Sequence, residues 1–232
     1  MLDWLATAMV RLDSFFKYFT GNSHQLAAIQ QLQEELPPHL LDHKATWVEL
    51  WKAGGKYTYL PTPYYHQLDL IDGIDKCVTA AVAMVAGHYV LVSSGQEYDK
   101  VRSRFGPSQE LWTHVQALES LGLRSEFIQD GTADLIEEEI DAGRPVAVGW
   151  LHKGDISTGR PAEGFGHWSV IVGYTEQYFI VNDPRGRYNM KTGKLESESG
   201  FNVKYERQDF LHRWEADGPG TGWALLVDDL SL

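Results

Sequence analysis

The first 55 residues carry apolar side chains at the spacing of helices. Apolar positions recur three and four residues apart through residues 1–20 and again through 26–36, and a shorter segment with this spacing runs through 45–53. Glycine, asparagine and proline residues, which end or restart helices, separate the three segments. The pattern predicts a helical N-terminal module or cap over residues 1–55. We expect its first helix to pack on the main domain, in preference to a dimer partner or a membrane, because its few charges make a weak membrane-facing side.

The pattern changes at Tyr57, and from there helices come first and strands later. Three helices are predicted, at 77–86, 107–121 and 133–142, and four runs with strong strand preference lie at 144–152, 167–175, 177–184 and 222–229. Only a short turn near Glu176 separates the second run from the third, which predicts adjacent antiparallel strands. Helices followed by an antiparallel sheet are typical of the α+β class, and we predict such a domain over residues 56–232.

Charge and hydropathy exclude several classes of partner. The chain has 20 Lys and Arg against 32 Asp and Glu, a formal net charge of −12, and no basic cluster. Contacts to nucleic acid or to anionic membranes need clustered basic side chains, so we expect neither partner. No apolar run reaches the roughly 18–20 residues of a membrane helix, which predicts no stable membrane insertion. The first residues lack the form of a signal peptide, so we expect cytoplasmic synthesis, with any release to the cell wall through a holin-type pore.

The only cysteine, Cys77, begins a predicted helix in the stretch GIDKCVTAAVAMVAGHY. A single cysteine excludes an internal disulfide framework and a cysteine-based zinc site. The free amides and the dipole at a helix start stabilise a thiolate, and the same amides can donate to an oxyanion. Two interpretations remain open at this point: Cys77 is a small buried core residue, or it is a nucleophile.

A cysteine nucleophile needs a base, and the base needs a group that orients it. His167 opens one predicted strand and Asp183 ends the next, so pairing of these strands would place both side chains at the same end of the sheet. Asp183 could then bond one imidazole nitrogen and leave the other to face Cys77. Gln67, ten residues before the cysteine, has an uncharged amide that suits an oxyanion hole. His152, at the end of another strand, is a weaker candidate for the base.

The order Gln67, Cys77 at the head of an Ala-rich helix, GHWSVIVGY and NDP resembles the papain-like cysteine peptidases of the bacteriocin-processing type. That family includes the double-glycine leader peptidase domains of bacteriocin exporters. The resemblance spans roughly Pro61 to Asp229 and implies a papain-like fold that needs no metal or organic cofactor. It also implies a role for each of four residues, with Cys77 as nucleophile, His167 as base, Asp183 as its orienter and Gln67 as oxyanion donor.

This sequence departs from the family directly after the cysteine. Family members commonly have glycine and proline, or glycine and a small residue, at the two positions where Val78 and Thr79 stand here. The larger side chains can alter the cleft beside the sulfur. Two further residues are candidates for that cleft. Trp168 adjoins His167, and a tryptophan often shields the histidine in papain-like enzymes; His66 adjoins Gln67 at the expected rim.

The acidic stretch LDLIDGID places three aspartates, Asp69, Asp72 and Asp75, around Gly73. Such spacing can bind Ca²⁺, but the closing glutamate of a twelve-residue calcium loop is missing. We therefore expect a solvated acidic loop and no metal.

The substrate is predicted from architecture alone. A helical module in front of a peptidase domain, in an acidic chain, favours an endolysin-like peptidoglycan endopeptidase that hydrolyses stem peptides from within the cell. Two alternatives stay open: an intracellular protease that trims a leader peptide or a precursor, and a catalytically silent module that binds peptides. Amine transfer from the thioester is a further possibility for the chemistry.

Overall fold

The computed structural model describes residues 57–228 and, before them, His43, Ala45, Thr46, Glu49, Leu50 and Gly55. The chain divides into two compact units, Met1–Gly54 and Gly55–Leu232. The helices predicted over residues 1–20 and 26–36 lie outside the described residues, as does most of 45–53. The helical module over residues 1–55 therefore stays a prediction.

One antiparallel sheet organises the described part of the second unit. Its strands follow the order β2-β9-β3-β4-β5-β8, β1 pairs with β4 as well, and β6 and β7 form a separate hairpin. The strand bounds are β1 Tyr57–Tyr59, β2 Ser125–Gly131, β3 Val146–Lys153, β4 Glu163–Thr175, β5 Tyr178–Asn182, β6 Arg187–Tyr188, β7 Leu195–Ser197, β8 Val203–Glu206 and β9 Gly222–Val227. The predicted antiparallel pair of strands before and after Glu176 is confirmed as β4 and β5.

Five α-helices accompany this sheet within residues 57–228, and the α+β class is confirmed. They are α1 Cys77–His88, α2 Gly95–Arg102, α3 Leu111–Ser120, α4 Ala133–Asp141 and α5 Arg207–Trp214. Short 3₁₀ turns occupy Gln67–Asp69, Gly73–Asp75 and Ile156–Thr158. None of the described helices combines the length and the apolar character needed to cross a bilayer.

The helix α1 begins at Cys77, as predicted, but it is not amphipathic. Every residue from Val78 to Ala86 is buried, because the helix lies inside the domain and packs against β4 and α2. The small alanines permit this close packing on several sides. The helix predicted from Pro107 starts later, at Leu111, since the backbone first forms a turn in which Glu110 N–H donates to the Pro107 carbonyl at 3.3 Å.

The main core lies between the sheet and the helices α4 and α5. Ile136 and Ile140 from α4 and Phe210 and Trp214 from α5 pack with strand residues around Trp150, and all five side chains are buried. Burial of an aromatic or branched aliphatic side chain of this kind contributes about 1.5–3 kcal/mol. The core thus holds β3 in place, and β3 pairs with β4 in the sheet.

Arg213 fastens the end of β3 to the segment that follows β6. Its buried guanidinium donates to the carbonyls of Leu151, Lys153 and Gly154, at 3.0, 2.8 and 2.8 Å, and to two further carbonyls that follow β6, those of Met190 and Lys191. Burial lowers the pKa of Arg213, yet five acceptors compensate the loss of water around the charge. One side chain therefore holds the end of β3, which borders the cavity described below, to the segment that follows Tyr188, another residue at that cavity.

His114 is fully buried in α3 as a neutral ring. Its Nε2 donates to the Ser108 carbonyl at 2.9 Å, and its Nδ1 accepts from the Tyr98 hydroxyl at 3.0 Å. Burial lowers the pKa of His114 to about 4, and burial does the same to His88. A histidine in the unfolded chain titrates near 6.5, so the unfolded state binds more protons than the folded state between these values.

We therefore expect acid to destabilise the fold through His114. Its contribution is complete above about pH 6.5 and is lost as the pH falls towards 4, at a cost of about 3 kcal/mol. Denaturant unfolding between pH 7 and 4 measures this slope. His114→Gln keeps one donor and one acceptor and should flatten the slope, whereas His212→Gln, at an exposed position, should leave it unchanged. An equal slope in wild type and His114→Gln would contradict the prediction.

Candidate active site

The register between β3 and β4 sets the direction of the candidate base. Trp150 pairs with His167 and Gly149 pairs with Trp168. Because side chains alternate between the faces of a strand, His167 and Trp150 share one face, and their rings meet edge-on with 5.1 Å between centroids. The Trp150 Nε1 donates to Ser169 Oγ at 2.7 Å, which fixes the indole. The tryptophan ring that packs against the His167 imidazole is therefore that of Trp150.

Trp168 lies on the opposite face of the sheet. Its ring covers Gly149, where a Cβ atom would come within 2.9 Å of the indole, so only glycine permits this packing. Trp168 nevertheless borders the cavity around Cys77, and its backbone N–H bonds the cysteine sulfur. The predicted cleft residue therefore reaches the site mainly through its backbone, and the shielding ring belongs to another tryptophan.

The strand β5 delivers the carboxylate to the base. Asp183 directly follows Asn182, the last residue of β5, and its Oδ1 lies 2.7 Å from His167 Nε2. Both side chains are buried. The same Oδ1 accepts from the Arg185 N–H at 3.1 Å, and Oδ2 accepts from the Tyr205 hydroxyl at 3.1 Å. The buried carboxylate is therefore fully bonded, which stabilises its charge.

Cys77 occupies the first position of α1, where its side chain is partly exposed. Burial alone would raise the pKa of this thiol. The side-chain hydrogen bond and the charge of His167, together with the backbone N–H groups of Trp168 and Val78, outweigh burial and lower it below its usual value. Cys77 is therefore held as a thiolate more readily than an ordinary cysteine.

His167 has its pKa raised by the two anions beside it. Burial acts in the opposite direction, but the charge and hydrogen bond of Asp183, followed by those of Cys77, raise the pKa of His167 to about 10. Nε2 bonds the carboxylate, so Nδ1 is the nitrogen left for the sulfur. At neutral pH the arrangement favours a thiolate and an imidazolium, with the carboxylate behind them.

Gln67 lies beside the cysteine, but both of its amide hydrogens are engaged. Its Nε2 donates to the carbonyls of Gly73 and Ile74 at 3.0 and 2.9 Å, while its buried Oε1 has no hydrogen-bond partner among the described residues. Gly73 lies so close that an added Cβ would come within 2.2 Å of the Gln67 carbonyl oxygen. The 73–74 turn thus holds the amide, and donation to a substrate oxygen would require one of these bonds to open.

A cavity of about 570 Å³ joins the predicted residues. Gln67, Cys77, His167 and Trp168 all border it, and Asp183 lies buried behind His167. The cavity is within the usual size range for a ligand site. It can hold a short peptide segment against the sulfur.

The structure does not bring His66 into this group. His66 Nδ1 accepts from the Leu68 N–H at 3.2 Å and so caps the 3₁₀ turn Gln67–Asp69, outside the cavity lining. His152, the weaker candidate for the base, borders the cavity with its ring 5.9 Å from that of His167. The imidazole that bonds both Cys77 and Asp183 is that of His167.

The acidic stretch is exposed at all three of its aspartates, Asp69, Asp72 and Asp75. Across the residues that the structure describes, no three His, Cys, Asp or Glu side chains are grouped so that they could hold a metal ion. The stretch contributes to the site in another way, because it contains the turn that engages Gln67.

Five residues that the sequence did not single out contribute to the site. Trp150 covers the imidazole, Tyr205 bonds Asp183, and Tyr188, Arg185 and Lys153 border the cavity. Tyr188 also lies against the His167 ring, at 5.3 Å between centroids. Of these five, only Trp150 could have been noticed in the sequence, because it is an aromatic residue in a predicted strand. Its contact with His167 depends on the register between β3 and β4, which the sequence does not show.

A match to a family model decides the classification. The model of the Peptidase C39-like family matches residues 59–220. The chain belongs to this family. It is a cysteine peptidase with a papain-like fold, and the match covers the cavity-lining residues, strands β2 to β8 and all four predicted site residues. Among curated proteins, no sequence matches the chain.

Solved structures resemble this chain at low identity. A Bacillus anthracis protein described as a C39-like peptidase is 15% identical, with a TM-score of 0.52, over 76% of this chain and 100% of that one. A double glycine motif protease from an AMS/PCAT transporter, solved with its leader peptide, is 18% identical over 73% and 93% of the two chains, with a TM-score of 0.44. The peptidase domain of Streptococcus ComA is 20% identical over 66% and 90%, also at 0.44.

Proposed function

We propose that Cys77, His167, Asp183 and Gln67 carry out peptide hydrolysis through a thioester. The observation that supports this most is the unbroken chain of contacts from sulfur to imidazole to buried carboxylate. The lowered pKa of Cys77 and the raised pKa of His167 both favour the charged pair that attacks a carbonyl.

Each step of the proposed mechanism has a residue in reach. The Cys77 thiolate attacks the peptide carbonyl carbon, and the oxyanion receives hydrogen bonds from the Cys77 N–H at the start of α1 and from Gln67 once its amide is released. The His167 imidazolium gives its proton to the leaving amine. His167 then takes a proton from water, which attacks the thioester, and the free acid leaves as the thiolate re-forms.

For the substrate, we propose peptide bonds of bacterial peptidoglycan. The cavity is lined by polar as well as apolar residues, and its two cationic side chains, Lys153 and Arg185, suit the carboxylates of stem peptides. In this proposal the enzyme is made in the cytoplasm and reaches the wall through a pore. The predicted helical module over residues 1–55 would position it there.

A second candidate is the trimming of a leader peptide or a protein precursor. Three apolar side chains next to Gln67 are exposed, with 45% of Leu68, 68% of Ile71 and 81% of Ile74 accessible to solvent. Such a surface suits apolar side chains of an extended or helical peptide. The family match is compatible with this substrate as well.

Incubation with two substrate classes tests the proposal. Purified peptidoglycan and a set of leader-type peptides are each treated with wild type and with Cys77→Ala, and the products are identified by mass spectrometry. We expect new stem-peptide or cross-bridge termini with wild type, and a loss of at least about 10³-fold in Cys77→Ala.

The outcomes separate the candidates. Cleavage of leader-type peptides alone, dependent on Cys77, would replace the wall substrate by the second candidate. Peptide binding with equal affinity in wild type and Cys77→Ala, without cleavage of any substrate, would support a silent binding module and overturn the catalytic proposal.

A further inference from the structure

The cavity has two chemically different sides. Residues 67–78 and Gln109 form one side, which includes the nucleophile and the acidic Asp75. Strands β3, β4 and β6 and the turn after β5 supply the other lining residues, which include His167, Lys153 and Arg185. In a chain with a net charge of −12, two cationic side chains and one carboxylate, Asp75, line this cavity.

Arg185 is placed by the turn that also places the carboxylate of Asp183. Its backbone N–H donates to Asp183 Oδ1 at 3.1 Å, so the start of its side chain is fixed relative to His167. Its Nη1 is buried and has no hydrogen-bond acceptor among the described residues. A buried donor without an acceptor costs about 1–3 kcal/mol, and more when it is charged, so the guanidinium is incompletely satisfied.

The nearest anion to this nitrogen is a poor partner. Glu198 Oε1 lies 3.7 Å from Arg185 Nη1, beyond hydrogen-bond distance, and 76% of the Glu198 side chain is exposed. An exposed ion pair of this kind contributes about 0–1 kcal/mol. The Arg185 side chain lines the cavity and is 28% exposed, so a ligand carboxylate there would meet the exposed part of this side chain, and a charge-assisted hydrogen bond would bind it more strongly than Glu198 does.

Tyr188 supplies a neutral donor beside Arg185. Burial raises the pKa of the Tyr188 hydroxyl to about 12; Asp183 and Cys77 add to the rise, and the charge of Arg185 opposes it. The hydroxyl therefore keeps its proton at neutral pH, close to the guanidinium. Lys153, whose side-chain carbons lie along Gly164, adds a second positive charge at the rim.

We infer that Arg185, with Lys153 and Tyr188, forms a subsite for a carboxylate on the leaving-group side of the cleaved bond. The side follows from the mechanism, since His167 protonates the leaving amine and bonds the same Asp183 oxygen that accepts from the Arg185 N–H. The substrate class is then a peptide with an acidic residue or a free C-terminal carboxylate just after the cleaved bond. This inference rests on the proposed cysteine chemistry, because Cys77 defines where the bond is cleaved.

Alkylation of Cys77 tests the subsite without a known substrate. The reagents are iodoacetate, N-iodoacetylglycine and N-iodoacetylglycylglycine, each compared with its neutral amide. In every case the thiolate carbon bond forms as iodide leaves, and the carboxylate ends at a different distance from the sulfur. The rate ratio of acid to amide is divided by the same ratio for free cysteine. We expect a normalised ratio of about 10 or more at one of the three lengths.

Arg185→Ala should reduce that ratio about tenfold, and Arg185→Lys should restore part of it. Arg187→Ala is the matched control. It removes the same charge two residues away, from a side chain that is 58% exposed, pairs with Glu196 at 3.4 Å and lies outside the cavity lining. The control should keep the wild-type ratio, and the neutral reagents report any change in folding or thiol reactivity.

The two readouts distinguish the inference from the proposed function. A fast reaction with the neutral amides, combined with equal ratios in wild type and Arg185→Ala, would overturn the carboxylate subsite while the nucleophile stands. Slow reaction with the neutral amides, at the rate of an ordinary cysteine, would overturn the proposed nucleophile. An equal fall of the normalised ratio in Arg185→Ala and Arg187→Ala would mean that the carboxylate is attracted by overall charge and not by a specific side chain. That result would also overturn the subsite.

Discussion

Replacing His167 by alanine is expected to lower kcat/KM for peptide cleavage by about 10³-fold. The change removes the proposed proton donor for the leaving amine and also the cation that lowers the pKa of Cys77. With burial no longer opposed by that cation, the pKa of the thiol should rise. The pH dependence of alkylation by a neutral reagent measures this shift. In wild type, the reactive pair exists above the pKa of Cys77 and is lost as the pH rises through about 10, where His167 gives up its proton.

His152→Ala is the matched variant for this experiment. Its ring borders the same cavity, 5.9 Å from that of His167, yet the hydrogen bonds to sulfur and carboxylate belong to His167. We expect His152→Ala to retain activity within about tenfold, together with the wild-type titration of Cys77. A larger loss of activity in His152→Ala than in His167→Ala would mean that His152, and not His167, is the base.

Replacing Gln67 by alanine is expected to lower kcat by about 10²- to 10³-fold, with a small change in KM. An oxyanion donor acts on the transition state, so its loss appears in kcat. The amide bonds to Gly73 and Ile74 add a second expectation, because they must open before Gln67 can donate. The 73–74 turn should therefore move when a substrate carbonyl enters the site. Kinetics of Gln67→Ala and Gln67→Glu against one cleaved peptide provide the measurement.

A purely structural role of Gln67 would give a different result. If the amide only fixes the 73–74 turn, Gln67→Ala would lower the midpoint of unfolding and slow the alkylation of Cys77, while kcat per reactive thiol would stay at the wild-type value. Gln67→Glu keeps the shape but places oxygens against two carbonyls, so it should fail in both roles. The ratio of kcat to alkylation rate in Gln67→Ala therefore decides between them.

The positions of Cys77, His167 and Asp183 could be inferred from the sequence for a physical reason. Cys77 starts a helix and Asp183 directly follows β5, whereas His167 lies inside β4, which begins at Glu163, and opens only the part of that strand with strong strand preference. Element ends are visible as changes in hydrophobic pattern, and a short connection between two strands predicts their pairing. The papain-like fold was predicted only through the family resemblance that this order of residues carries.

Other parts of the site depend on contacts between segments far apart in sequence. Tyr205 reaches Asp183 from β8, a strand of four residues whose sequence, VKYE, alternates too briefly to be recognised. Trp150 covers His167 because of the register of β3 against β4, which no local pattern specifies. The engagement of Gln67 by the 73–74 turn depends on tertiary approach at a glycine, and a motif cannot indicate it.

Cys77 is the only thiol in the 232 residues, and this isolation limits how the enzyme recovers from oxidation. A thiolate with a lowered pKa and partial exposure is also the form of cysteine that peroxides attack, giving a sulfenic acid. The 232 residues contain no second thiol that could capture that product as an internal disulfide. Repair must then come from a thiol outside the molecule, before further oxidation makes the loss permanent. The feature that makes Cys77 reactive thus makes the peptidase dependent on the reductants around it.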